Sequence, residues 1–251
     1  MNPRRTLKRA LLHFGYEVRR VERPATNQIS PNESEIPCKR LYAPRFSPWL
    51  SEEFKKYYSV AAPRTLVSID RCYVIYVLLQ QSLSLDGDIV ECGVYKGGTA
   101  AMIARVVGEH GAARKLFLFD TFAGMPETDP TRDIHKKGDF ADTSLEEVET
   151  FVNAPRTAVF RAGLIPDTFA GLESHRMAFV HIDVDIYKSV IDSLEFLWPR
   201  LLPGGTIVFD DYGFPTCPGA KQAVDFFFAH TPTYPLCLPT GQAVVFKHTL
   251  E

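Results

Sequence analysis

From residue 87 onward, short apolar runs alternate with segments whose apolar residues recur every three or four positions. The runs predict strands over 87–93, 115–120, 157–163, 177–183 and 205–210, and the 3.6-residue pattern predicts helices over 98–107, 188–201 and 220–229. Such alternation implies right-handed βαβ units and a mostly parallel sheet with helices on both faces. The tail departs from this pattern: 236–238 and 243–246 flank a Pro-Thr-Gly turn and predict two short strands. The fold class is therefore α/β, a doubly wound, mostly parallel sheet with a C-terminal antiparallel hairpin.

Upstream, residues 49–83 read as helical, with Val74, Val77 and Leu78 at core spacing. Residues 24–48, rich in Pro, Ser and Asn, read as a linker or substrate-facing loop. Residues 4–23 carry seven Lys/Arg against two Glu, with Leu7, Leu11, Leu12 and Val18 in helical spacing. That segment reads as a basic helix packing on a neighbour or a second subunit, or touching an anionic surface. The division expected is an extension over 1–60 and a main domain over 61–251.

Composition narrows the class. The 251 residues are 45% hydrophobic and 23% charged, ordinary values for a soluble enzyme. A net charge of −2 gives no case for nucleic acid. No apolar run approaches the roughly 20 residues of a membrane span, and the basic N-terminus lacks the apolar core of a signal peptide. Five scattered cysteines without Cys-x-x-Cys spacing suggest reduced thiols and a cytoplasmic protein.

The candidate chemistry lies at strand ends, where open α/β sheets bind ligands. The first strand ends Val-Glu-Cys-Gly-Val-Tyr-Lys-Gly-Gly-Thr. Tyr95 stands where a dinucleotide fingerprint needs its second glycine, and no Gly-Lys-Ser/Thr follows. The turn therefore suits a ligand without a pyrophosphate, such as one with an amino acid moiety. Glu91 would accept from its ammonium, and the helix start near Gly98 would meet its carboxylate; the alternative is a purely structural turn. Asp120 ends the second strand and either binds the hydroxyls of a ribose or caps the next turn.

Asp183 and the Asp210–Asp211 pair end two later strands, one strand–helix–strand unit apart. An all-oxygen set favours Mg²⁺, Mn²⁺ or Ca²⁺ over zinc, and carboxylates held close repel without a cation. Asp185 either supports this site or caps the following helix. His181 reads as a hydrogen-bonded core residue outside it. Residues 123–149 form a long acidic stretch, read as a lid hinged at Gly124, Pro126 and Gly138 or as a solvated insertion.

Val-Glu-Cys-Gly-Val-Tyr-Lys-Gly-Gly-Thr-Ala, Phe-Asp-Thr-Phe-Ala-Gly-Met-Pro, Ile-Asp-Val-Asp-Ile-Tyr and Phe-Asp-Asp-Tyr resemble, in order, the motifs of the macrocin O-methyltransferase family. The resemblance spans roughly residues 60–247. It implies a Rossmann-like class I methyltransferase using S-adenosylmethionine and Mg²⁺ (or Mn²⁺) on a hydroxyl of a sugar or glycosylated natural product, with a vicinal diol as the natural acceptor. It implies a cofactor site of Glu91, Gly93, Tyr95, Thr99, Asp120, Thr121 and Phe122, with Ser144 on the adenine side. It implies Asp183, Asp210 and Asp211 as metal ligands. Related catechol methyltransferases carry a lysine base three residues after the first metal aspartate. Ile186 stands there in this chain, which leaves Asp183 or His135 of the lid as base. The rival readings are a nucleotide-dependent oxidoreductase, against which Tyr95 counts, and a non-catalytic scaffold, against which the acid triad counts.

Overall fold

The computed structural model describes residues 47–110 and 114–248, so the basic helix read over 4–23, with any contact through it, lies outside the described residues. In the strand Leu116–Asp120, successive side chains leave on opposite faces. Leu116 and Leu118 enter one core cluster, and Phe117 and Phe119 enter the other. The same alternation runs through β1 (Asp88–Cys92), β2 (Leu116–Asp120), β3 (Ala158–Ala162), β4 (Met177–Ile182), β5 (Leu201–Phe209), β6 (Leu236–Cys237) and β7 (Ala243–Phe246). They form one seven-stranded sheet in the order β3-β2-β1-β4-β5-β7-β6. β7 is antiparallel to both β5 and β6, and the other pairs are parallel.

Three helices cover one face: α1 (Glu52–Ala61), α2 (Ile69–Ser82) and α3 (Gly98–His110). α1 straddles the boundary read at residue 60, yet Phe54, Tyr57 and Ala61 are buried in the main core. α2 fully buries Cys72, Ile75, Tyr76 and Leu79, and the expected Val74 and Leu78 lie half-buried against the same core. Val77 is 38% exposed, because the aromatic pair Tyr57–Tyr76 fixes the rotation of the helix.

A helix that the sequence reading left inside a polar stretch, α4 (Leu145–Val152), buries Val148 and Val152. Ser144 caps it by accepting from the Glu147 amide at 3.4 Å, and Asn153 ends it in the left-handed region. On the opposite face lie α5 (Tyr187–Leu197) and α6 (Pro218–Phe228). α5 stops four residues before the expected end, in a 3₁₀ turn over Trp198–Arg200. Pro199 supplies no amide to continue the helix, and β5 then starts at Leu201. Among the described residues no helix is long and apolar enough to cross a membrane.

Candidate active site

The strand ladder continues past the strand ends, with Gly93 N donating to Phe119 O and Asp183 N to Cys92 O. A side chain at Gly93 would lie 1.7 Å from the Asp183 carbonyl oxygen, so only glycine lets these two ends meet. The Asp120 carboxylate organises the turn above them. Its Oδ2 accepts from the Val94 and Tyr95 amides at 2.7 and 2.8 Å, and its Oδ1 from the Phe122 amide at 2.8 Å. Those bonds hold Tyr95 and Phe122 in the left-handed region, at φ 49° and 51°.

The Tyr95 hydroxyl donates to Asp142 at 2.6 Å, and Lys96 pairs with the same carboxylate. A pocket of about 370 Å³ opens here, lined by Gly93, Tyr95, Thr99, Asp120 and Thr121 on one side and by Asp183, Asp210, Asp211 and His135 on the other. Three residues expected at the cofactor do not line it. Phe122 turns its ring into the core, Ser144 caps α4, and Glu91 is fully buried.

Glu91 belongs to a polar row that crosses three strands beneath α2. Its Oε1 lies 3.0 Å from His181 Nδ1, and the other side of that imidazole faces Asp210 Oδ1 at 3.7 Å. Gln242 Nε2 donates to the same Asp210 oxygen at 2.8 Å, while Arg71 of α2 pairs with Oδ2. The sequence reading set His181 aside and did not single out Arg71 or Gln242. The signal for His181 was register, since it stands directly opposite Glu91 on the neighbouring strand.

Burial alone would lower the His181 pKa, but Asp210 and Glu91 outweigh it and raise it to about 10. In the unfolded chain that imidazole titrates near 6.5. The folded state therefore holds the extra proton between those values. Its contribution to stability is complete below about pH 6.5 and is lost as pH rises through about 10. In chelator, His181→Gln should flatten the decline in melting temperature across that window. A decline as steep as in the parent chain would remove His181 from the linkage.

Asp183, Asp210 and Asp211 each present a carboxylate oxygen, all within 4.8 Å of one another. Burial, then the Asp210 charge, pushes Asp183 well above the usual carboxylate range. Burial and the charges of Asp185, Asp183 and Asp210 do the same to Asp211. Arg71 and His181 bring positive charge to Asp210 from one side, and the three carboxylates that converge on the pocket match a hard cation in chemistry and number.

Beside it, Asp185 adopts φ 59° and donates its amide to Asp211 Oδ2 at 2.9 Å. His135 reaches in from the 123–149 stretch, its Nδ1 3.2 Å from Asp139 and its Nε2 3.7 Å from Asp185. That stretch is held down at several points. Met125 exchanges backbone bonds with Asp139 and Gly138, and buried Asp133 accepts from the α5 amide of Tyr187 at 2.9 Å.

Sheet order, a glycine turn above β1 and a pocket at the carboxyl ends of the strands together define a methyltransferase of class I. Solved structures agree. The O-methyltransferase NovP superposes with a TM-score of 0.66 at 26% identity, over 74% of this chain and 82% of that one. Calicheamicin methyltransferase CalS11 shares the fold at TM-score 0.60 and 20% identity, over 78% and 93% of the two chains.

Residues 73–247 match the family profile Macrocin-O-methyltransferase (TylF), and the chain belongs to that family. A Streptomyces olivaceus enzyme, 8-demethyl-8-(2,3-dimethoxy-alpha-L-rhamnosyl)-tetracenomycin-C 4'-O-methyltransferase, is 31% identical over 74% of this chain and 76% of its own. Demethyldecarbamoylnovobiocin O-methyltransferase of Streptomyces niveus is 28% identical over 67% and 69%. The protein is thus an O-methyltransferase of a family that acts on sugars and natural products, and the oxidoreductase reading falls away.

Proposed function

We propose that this chain moves the methyl group of S-adenosylmethionine to a hydroxyl of a sugar borne by a natural product, with Asp183, Asp210 and Asp211 holding Mg²⁺ or Mn²⁺. The observation that carries the reading is the convergence of those three carboxylates on the same pocket as the glycine turn. When bound, the cation supplies Lewis acidity toward the acceptor hydroxyl. A vicinal diol, or a hydroxyl beside a methoxy group as the name of the Streptomyces olivaceus relative describes, offers two oxygens to it.

The chain's own groups do the rest. Glu91 Oε2 is buried behind the pocket lining without a hydrogen-bond partner, and a local shift on binding would bring it to the cofactor ammonium as donor. The α3 start at Gly98 offers amides to the cofactor carboxylate. Asp120 lines the pocket, and beyond the three amides it accepts from it has one acceptor site left for a ribose hydroxyl, on Oδ1, where the Thr121 hydroxyl stands at 3.4 Å. Met125 and Phe140 wall the pocket from the lid side. His135 accepts the acceptor's proton at Nε2, while Asp139 holds its Nδ1 in place. Asp183 is then a ligand and leaves proton transfer to His135.

Calorimetry with S-adenosylhomocysteine tests the cofactor half of this reading. Saturable one-to-one binding is expected without added metal, and Glu91→Gln should weaken it by about 1.5–3 kcal/mol, the worth of a hydrogen bond to a charged group. Equal affinity in parent and variant would remove Glu91 from the cofactor.

A further inference from the structure

The mouth of the pocket holds a second cluster of metal-binding groups, different in kind from the three carboxylates. His135 comes from the lid, Asp185 from the turn after β4, and Cys217 from the position just before α6. Cys217 Sγ lies 3.2 Å from Asp185 Oδ1 and 3.8 Å from His135 Nε2, and the third edge, Nε2 to Oδ1, is 3.7 Å. Ligand distances of about 2.3 Å for sulfur and about 2.1 Å for nitrogen or oxygen give tetrahedral edges of roughly 3.4–3.6 Å. The observed triangle thus matches one face of a zinc tetrahedron to within a few tenths of an ångström.

The surroundings fit as well. Asp139 engages His135 Nδ1 at 3.2 Å, the carboxylate–imidazole contact that leaves Nε2 free to ligate and fixes the ring. Asp139 is itself held by the Lys136 amide at 2.9 Å. All three candidate ligands line the pocket, so the fourth vertex opens onto the space where a substrate or water would sit.

We infer that Cys217, His135 and Asp185 form a second cation site, selective for a borderline, thiophilic divalent ion such as Zn²⁺. The thiolate–imidazole–carboxylate set and the all-oxygen set beside it sort metals by softness, Zn²⁺ or Co²⁺ to the first and Mg²⁺ to the second. Occupancy consumes the Nε2 lone pair of His135. On the functional reading above, a thiophilic metal therefore silences methyl transfer while Mg²⁺ supports it.

The test is a Co²⁺ titration of the full chain in saturating Mg²⁺. One equivalent should give a thiolate-to-cobalt charge-transfer band in the near ultraviolet, with the visible bands of four-coordinate cobalt, and Zn²⁺ should displace both. Cys217→Ser should abolish the charge-transfer band and Cys237→Ser should keep it. Asp139→Asn should weaken cobalt binding by about 10–100-fold, as loss of an outer-shell partner does. Binding of S-adenosylhomocysteine by each variant confirms that it is folded. No thiolate band in the parent chain, or a band that survives in folded Cys217→Ser, overturns the site. In a parallel arm, one equivalent of Zn²⁺ should stop turnover at saturating Mg²⁺. Turnover that persists while the band forms leaves the site standing and removes His135 from proton transfer.

Discussion

Asp211→Asn is expected to cut turnover at fixed Mg²⁺ by about 10²–10⁴-fold, because the cation is asked to lower the barrier by several kcal/mol. Affinity for S-adenosylhomocysteine should barely change, since the cofactor contacts lie on the other wall of the pocket. The same variant should be more stable than the parent chain in chelator. Asp211 is buried against Asp185, Asp183 and Asp210, and its raised pKa means that the charged form destabilises the metal-free fold as pH rises above the usual carboxylate range. Asparagine removes that charge and keeps an oxygen for the Asp185 amide, which now donates to Asp211 Oδ2 at 2.9 Å. Melting curves in chelator and in excess Mg²⁺ check both halves: Asn should raise the first midpoint and lower the gain on adding metal. A variant that melts lower than the parent in chelator would mean that Asp211 supports the fold.

The second large effect belongs to His135. His135→Gln should lower turnover by about 10²–10⁴-fold at saturating metal and cofactor, the usual worth of a positioned base. Binding of cofactor and of Mg²⁺ should stay near the parent values, because His135 contacts neither the glycine turn nor the three carboxylates directly. Added imidazole should restore part of the rate. If Asp183→Asn at saturating metal proves far more damaging than His135→Gln, the proton goes to Asp183 instead.

The parallel core and the C-terminal hairpin were legible because short, mostly apolar segments alternate with 3.6-residue periodicity, and several of the parallel ones close on an acid or glycine. Asp183, Asp210 and Asp211 were legible for the same reason: strand ends on neighbouring strands must converge. The polar row was not. Arg71 and Gln242 reach Asp210 from 139 and 32 residues away, and only the docking of α2 and the register of β7 bring them there. His181 required knowing that β1 and β4 are neighbours, a fact of sheet order that periodicity does not carry.

α4 did leave a trace, because Ser144 followed by Glu147 is half of a capping box, but the surrounding acids masked it. Of the positions read on α2, Val74 and Leu78 pack half-buried against the core and Val77 faces out, because packing against Tyr57 sets the rotation of the helix. Cys217 carried no signal of its own, and its partners come from two distant segments.

On the proposed function, transfer of a methyl group to a sugar oxygen depends on the cation. The direct measurement incubates the protein with S-adenosylmethionine and a panel of rhamnosylated polyketides and aminocoumarin glycosides, and reads products by mass spectrometry and NMR. The expected result is one added methyl on a single sugar oxygen, abolished by excess chelator and restored by Mg²⁺. Transfer that continues undiminished in chelator, or a methyl found on an atom other than a sugar oxygen, would contradict it.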